Sequence, residues 1–409
     1  MATSKTSSSA NGGTTPLILP PQPTGRRIIT FDAGVGRSDM VKLVRSATAH
    51  EPVTAASAGS LFEALQSSGM TDSPLVLERF GLAVIGGGLE SASNAASMLA
   101  RTDEVVDTRP EFWLFASQNP PWGDDLDATW GLHAVDALTS EKTGNGIKLA
   151  ILDTGLDLGH PDFLDRAIVA RSFVPNETVD DVAGHGTHCA GTAASAAQGG
   201  GNMPRYGLAG QCFLHVGKVL NNRGAGRELD IIAGIEWAIT QGCEVISMSL
   251  GRQVMPNEPP DPIYERVGNA ALEAGCLILC ASGNESDRRY NYIAPVGSPA
   301  NSTAMMAVAA IGSDGGIANF SCGSTGTGKV DICAPGVAIL SSVPRPELYK
   351  KLSGTSMACP HAAGIAALWA QSNASLRGRK LWKKLVDSAV PVGGLPERDV
   401  GAGLVQAPR

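Results

Sequence analysis

Four short stretches of this chain place reactive side chains where they could work together. Ile151-Leu152-Asp153-Thr154-Gly155 delivers an aspartate at the end of an apolar run. Gly184-His185-Gly186-Thr187-His188-Cys189 sets a histidine between two glycines, which let backbone come close and leave the imidazole open. Gly354-Thr355-Ser356-Met357-Ala358-Cys359-Pro360-His361 runs from a turn into small residues, with Ser356 where a helix would start. A serine hydroxyl is a poor nucleophile at neutral pH. It needs a base, and the base needs a carboxylate to fix its tautomer and stabilise the imidazolium. Asp153, His185 and Ser356 are the residue types that do this. The reaction also needs a donor for a developing oxyanion. Leu279-Cys280-Ala281-Ser282-Gly283-Asn284 puts Asn284 just past another apolar run, where its amide can join the Ser356 N–H. The Asp153 stretch alone is weak, since an Asp capping a helix or turn is common.

From about residue 126, short apolar runs alternate with helical stretches. IKLAIL, FLHVGKVL, CEVISMSL, CLILCAS and MMAVAAIG suit strands buried on both faces. THCAGTAASAA, RELDIIAGIEWAITQG, YERVGNAALEAG and SMACPHAAGIAALWAQ suit the helices between them. The alternation predicts an α/β fold: a mostly parallel sheet with helices on both faces. In such sheets functional groups gather beyond the carboxyl ends of the strands.

The first part of the chain reads differently. Residues 1–25, rich in Ser, Thr, Gly and Pro, read as a flexible tail. Residues 26–116 read as a small α+β unit of β-α-β-β-α-β order, a ferredoxin-like split βαβ, with LVLERFGLAVIGG as strand. Residues 117–125, SQNPPWGDD, read as a linker, and residues 117–409 hold the larger domain.

The order Asp, His, Ser, with DTG, GHGTHCAGT, ASGN and GTSMACPHAAG around the key residues, resembles the subtilisin-like serine proteases over roughly residues 117–409. The resemblance implies that Asp153 orients the histidine, His185 is general base then acid, Ser356 is the nucleophile and Asn284 the oxyanion donor. It implies that Ser249-Leu250-Gly251 and, as an opposite edge strand, Gly224-Ala225-Gly226 clasp an extended polypeptide substrate, with Gly283 of ASGN beside them. It makes the N-terminal unit an inhibitory propeptide, cut between Ala116 and Ser117, with Trp113 filling an apolar pocket four residues before the cut. Cys189 matches the thiol-containing branch of the family, and Cys359 stands where a serine is common. Gln118 and Asp162 match two positions of a structural calcium site, but Gln198-Gly199-Gly200-Gly201-Asn202-Met203-Pro204 does not supply the remaining oxygens well. Calcium is left open, and no cofactor is expected for the chemistry.

Composition narrows the alternatives. The 409 residues are 43% hydrophobic and only 5% aromatic, so the core must use small aliphatics. A balance of 32 basic against 39 acidic residues leaves no surplus for a phosphate backbone, so no nucleic-acid partner is expected. No window approaches 18 apolar residues, so no membrane span is expected, and the N-terminus lacks an apolar core of signal-peptide length. The expectation is a cytoplasmic protein, with unconventional secretion as the alternative. Eight cysteines at low density, several inside apolar runs and none in a CxxC pair, read as buried free thiols. His185, His188 and Cys189 have metal-ligand spacing but no fourth ligand nearby, so no zinc is expected, and His188 and His361 read as structural. Arg223 and Arg227, beside the edge segment, read as solvated charge. Two other functions compete with hydrolysis: a non-catalytic peptide binder on the same scaffold, and a transpeptidase or macrocyclase that passes the acyl group to an amine.

Overall fold

The computed structural model describes residues 23–54, 73–86, 89–112, 122–196 and 203–409. The chain falls into two units, residues 1–116 and 117–409.

In the first unit, β1 (Pro23–Phe31), α1 (Arg37–Thr48), β2 (Val53–Thr54), β3 (Leu75–Leu77), β4 (Leu82–Ile85), α2 (Leu89–Leu99) and β5 (Val105–Phe112) form a sheet of order β2-β3-β4-β1-β5. β1 pairs antiparallel with both β4 and β5, and β3 with β4. That is the split βαβ pairing, with β2 added at one edge. The segment read as one strand, 75–87, is a hairpin. A helical turn at Glu78–Phe80 and Gly81, at φ 63°, reverse the chain between β3 and β4. β1 begins at Pro23, inside the stretch read as tail, and residues 1–22 lie outside the described residues. Ile29 and Phe31, two apart on β1, bury one face against Met40 and Val44, four apart on α1, and against Ala92, Ala95, Ala96 and Leu99 of α2.

In the second unit the strands are β6 (Lys148–Asp153), β7 (Val169–Ser172), β8 (Phe213–Lys218), β9 (Val245–Met248), β10 (Leu277–Ala281), β11 (Met306–Ile311) and β12 (Ile332–Pro335). Their order is β12-β11-β10-β9-β6-β8-β7, and every pairing is parallel. From β6 the chain goes to the edge at β7, returns to β8 beside β6, then crosses to the other side of β6 and steps outward from β9 to β12. The order therefore reverses at β6, where such sheets form a crevice beyond their carboxyl ends. A hairpin of β13 (Ile339–Ser342) and β14 (Tyr349–Leu352) lies outside this sheet.

The helices are α3 (Trp130–Ala134), α4 (His185–Ala194), α5 (Glu228–Thr240), α6 (Pro262–Glu273), α7 (Thr355–Ser372), α8 (Arg379–Ser388) and α9 (Glu397–Val400). α4 packs on α7 and α5 on α6, covering the sheet with helices. The packing is close because the contacts are small: a Cβ on Gly364 would meet Leu208 Cβ at 2.7 Å and the Ala193 carbonyl at 2.9 Å. The residues expected to act as linker are partly anchored. The Trp122 N–H donates to the Ser313 carbonyl (2.8 Å), and Asp124 accepts from the Trp130 N–H (2.8 Å). Among the described residues no helix is long and apolar enough to cross a membrane.

Candidate active site

Asp153 ends β6, His185 begins α4, Ser356 lies at the second position of α7, and Asn284 follows β10 by three residues. His185 Nδ1 is 2.7 Å from Asp153 Oδ1, which also accepts the Thr154 N–H at 2.7 Å. Asp153 is fully buried, while the imidazole side chain is 31% exposed and faces the cleft. Burial disfavours a charged imidazole, but the Asp153 carboxylate outweighs it and holds the His185 pKa well above the ordinary value.

The histidine turn is built around a carboxylate that sequence reasoning passed over. Asp181 is buried and accepts from the Gly184 N–H (2.8 Å), the Thr187 N–H (2.8 Å), the Thr187 hydroxyl (2.7 Å) and the Thr154 hydroxyl (2.8 Å). Thr154 Oγ1 in turn accepts from the Gly186 N–H (2.8 Å). Asp153 and His185 are thus held by one network from both sides. Gly184, at φ 87°, turns the chain into α4, a conformation that favours glycine. The signal for Asp181 was an acid four residues before the histidine, but a lone acid in a polar stretch reads as surface.

Ser356 owes its setting to Pro360. Proline has no N–H, so the Ser356 carbonyl, four residues earlier, loses its helical donor. Two side chains replace it: the Ser249 hydroxyl at 2.8 Å and the Cys189 thiol at 3.4 Å. The Ser356 hydroxyl donates to the Ser249 carbonyl at 3.3 Å. The Ser356 N–H, in the first turn of α7, has no carbonyl four residues back in the helix to bond to.

Asn284 is fixed in one orientation. Its Oδ1 accepts from the Thr355 N–H (2.8 Å) and the Thr355 hydroxyl (3.0 Å), so Nδ2 is turned the other way. A Cβ placed on Gly354 would stand 3.7 Å from that Nδ2 and 3.5 Å from the Ser356 nitrogen. Two donors therefore flank one space beside the Ser356 hydroxyl, and the glycine leaves it empty.

His185, Ser356 and Asn284 open onto one cleft of 840 Å3, which Gly224-Ala225-Gly226, Ser249-Leu250-Gly251 and Gly283 also line. One expectation needs correction. Gly224–Gly226 is not a strand: the Asn221 carbonyl accepts the Gly224 N–H (2.8 Å) and the Asn221 N–H donates to the Ala225 carbonyl (2.8 Å), so Asn221–Ala225 is a turn. Glu228, Asp261 and Tyr264 line the cleft as well and were not singled out in the sequence.

The remaining candidates are placed as follows. All eight cysteines are buried and free. His188 is buried, its Nε2 3.0 Å from the Ile339 carbonyl and 3.1 Å from that of Lys350, and burial lowers its pKa to about 4. His361 is buried against the Met357 carbonyl (2.8 Å), and burial lowers it likewise to about 4. Neither aims at the cleft. Asp153, His185 and Cys189 cluster within 4.8 Å, but the triad-type hydrogen bond already accounts for two of the three. Both oxygens of Asp162 accept from hydroxyls, Oδ2 from Tyr206 and Oδ1 from Tyr349 at 3.1 Å. Trp113, Ala116, Ser117, Gln118 and residues 198–202 lie outside the described residues.

The second unit is similar to known proteins. The profile of the Subtilase family matches residues 144–403. An intracellular serine protease of Paenibacillus polymyxa is 38% identical over 279 residues, covering 66% of this chain and 81% of that protein. Subtilisin Savinase of Lederbergia lenta is 37% identical over 282 residues, covering 68% of this chain and 96% of that one. The solved structure of Sphericase superposes with a TM-score of 0.59 at 30% identity, over 68% of this chain and 98% of its own.

Proposed function

Because the chain belongs to the subtilase family and is a serine endopeptidase, we propose that Ser356, His185, Asp153 and Asn284 carry its peptide hydrolysis. The observation that supports this most strongly is the shared cleft. It joins a histidine hydrogen-bonded to a buried aspartate with a serine at a helix start and an amide locked with its N–H groups outward. Ser356 Oγ attacks the scissile carbonyl as His185 takes its proton. The oxyanion is held by Asn284 Nδ2 and the Ser356 N–H. His185 returns the proton to the leaving amine, and water then releases the acyl group by the same route. Asp153 fixes the ring and stabilises its charged form. No metal takes part in these steps.

The substrate lies extended between Gly224–Gly226 and Ser249–Gly251, bonded mainly through its main chain, with Gly283 beside the reacting carbonyl. The N-terminal unit, residues 26–116, is a propeptide that inhibits the enzyme until cleavage between Ala116 and Ser117. Its split βαβ topology supports that role. The buried thiol of Cys189 next to His185 supports placement in the thiol-containing branch. The Paenibacillus polymyxa relative, named as intracellular, supports a cytoplasmic enzyme over an unconventionally exported one.

Reaction with a fluorophosphonate followed by peptide mapping tests the reading. A covalent adduct on Ser356 is expected, and a peptide binder without catalysis would give none. Product masses that stay unchanged when an amine is added separate hydrolysis from acyl transfer.

A further inference from the structure

Lys218 is fully buried at the end of β8, where it is the cross-strand neighbour of Asp153. A buried lysine is costly unless its charge is paired and its donors are used. Here three acceptors meet the ammonium: the Thr154 carbonyl at 2.6 Å, Asn222 Oδ1 at 2.9 Å and Glu177 Oε2 at 3.4 Å. The same Glu177 oxygen accepts the Asn222 N–H at 2.9 Å. Thr154 is the residue whose hydroxyl binds the histidine turn, and Asn222 lies in the turn that carries Gly224–Gly226. The chain between Lys218 and that turn is also tied back, because the Val219 and Leu220 N–H groups both donate to the Asp153 carbonyl (2.9 and 3.0 Å).

We propose that Lys218 is a positioning residue that fixes the Gly224–Gly226 wall relative to the Asp153–His185 pair, with Asn222 as its link to the wall. Asn221–Ala225 is a surface turn with two backbone hydrogen bonds of its own, and Gly224 has open space around it. Without an anchor such a turn samples several positions, and a peptide that must pair with it meets a wall out of register. Lys218 uses one ammonium to bond both the wall and the turn of the catalytic pair, so the two move together. A substrate too short to reach the wall does not sense this tie. The inference rests on the proposed reading of Gly224–Gly226 as a substrate wall.

The test compares kcat/KM for an anilide with four residues before the cut against an ester with one. Asn222→Ala removes the side-chain link from Lys218 to the wall, leaving the backbone bond from residue 222 to Glu177, and should lower the ratio of long to short about tenfold. Lys218→Met should lower it at least as much while also slowing both substrates. Asn222→Asp keeps an oxygen acceptor for Lys218 and should restore most of the ratio. A merely structural role would lower both substrates equally and leave the ratio unchanged. If Lys218→Met does not fold, the Asn222 pair decides alone. A wild-type enzyme with no preference for the longer substrate would sink the reading of the wall itself. A preference that survives undiminished in Asn222→Ala would leave that reading standing and overturn the tie.

Discussion

The thiol of Cys189 lies 3.9 Å from Nδ1 of His185 and donates to the Ser356 carbonyl at 3.4 Å. One buried sulfur thus lies against the ring of the proposed base and the backbone carbonyl of the proposed nucleophile. Burial raises the Cys189 pKa, so it is a neutral thiol at working pH and a slow target for alkylation, which needs thiolate. A mercurial needs no prior thiolate and would put a heavy atom under the histidine. Wild-type enzyme should lose most of its activity to a mercurial while resisting iodoacetamide. Cys189→Ala should keep a far larger fraction of its activity under the same mercurial. Equal inactivation of both would assign the sensitivity to another thiol.

His185 must be neutral to act as a base. Asp153 raises its pKa, so activity should fall as pH drops through a value above 6.5. Asp153→Asn removes the charge that raises it. The acid limb of kcat/KM should then move to lower pH, and kcat should fall by about 10,000-fold, since the wrong tautomer is favoured. An acid limb that stays in place in Asp153→Asn would show that another group sets it.

Asn284 and Gly354 share one prediction with two handles. Removing a single oxyanion donor at this position is known in this family to cost about 100- to 1,000-fold in kcat. Asn284→Leu should behave so, with little change in KM. Thr355→Val removes one of the two bonds that orient the amide and should cost about tenfold. Gly354→Ala puts a methyl group between the two donors and should lower kcat more than KM rises. A rise in KM alone in all three would mean that this pocket binds ground state and transition state alike.

Asp331 bears on stability rather than on catalysis. Its Oδ2 accepts the Ala307 N–H at 2.7 Å, and burial pushes its pKa up to about 7. The folded state therefore holds this proton more tightly than the unfolded chain does. Stability falls as pH rises from near 4, the unfolded value, through about 7. Asp331→Asn keeps an acceptor and removes the charge. Its Tm should exceed that of wild type at pH 8, with the advantage shrinking towards pH 5. No change in the difference between the two pH values would exclude Asp331 as the source.

The central strands were legible because they are buried on both faces and read as unbroken apolar runs: every residue of β9, β10 and β11 is buried. β7 was not, because as an edge strand it alternates exposed and half-buried residues within four positions, VARS. The hairpin of β13 and β14 carries Ser and Lys at half of its positions and gives no apolar period. In the site, Asp153, His185, Ser356 and Asn284 stood out because glycines and apolar strands surround them. Asp181 and Lys218 did not. A charged residue is read as surface by default, and only the fold shows that these two are buried among acceptors and donors from distant segments. At Gly224–Gly226 the resemblance implied an edge strand where the chain makes a turn at Asn221–Ala225, and a short glycine-containing piece suits either.

Intact-mass spectrometry of freshly made protein, run beside peptide hydrolysis, for wild type and Ser356→Ala tests the core claim most directly. The wild-type chain should hydrolyse peptides and lose the segment ending at Ala116, while Ser356→Ala should stay full length and inactive. A Ser356→Ala chain that cleaves peptides at the wild-type rate would contradict the account.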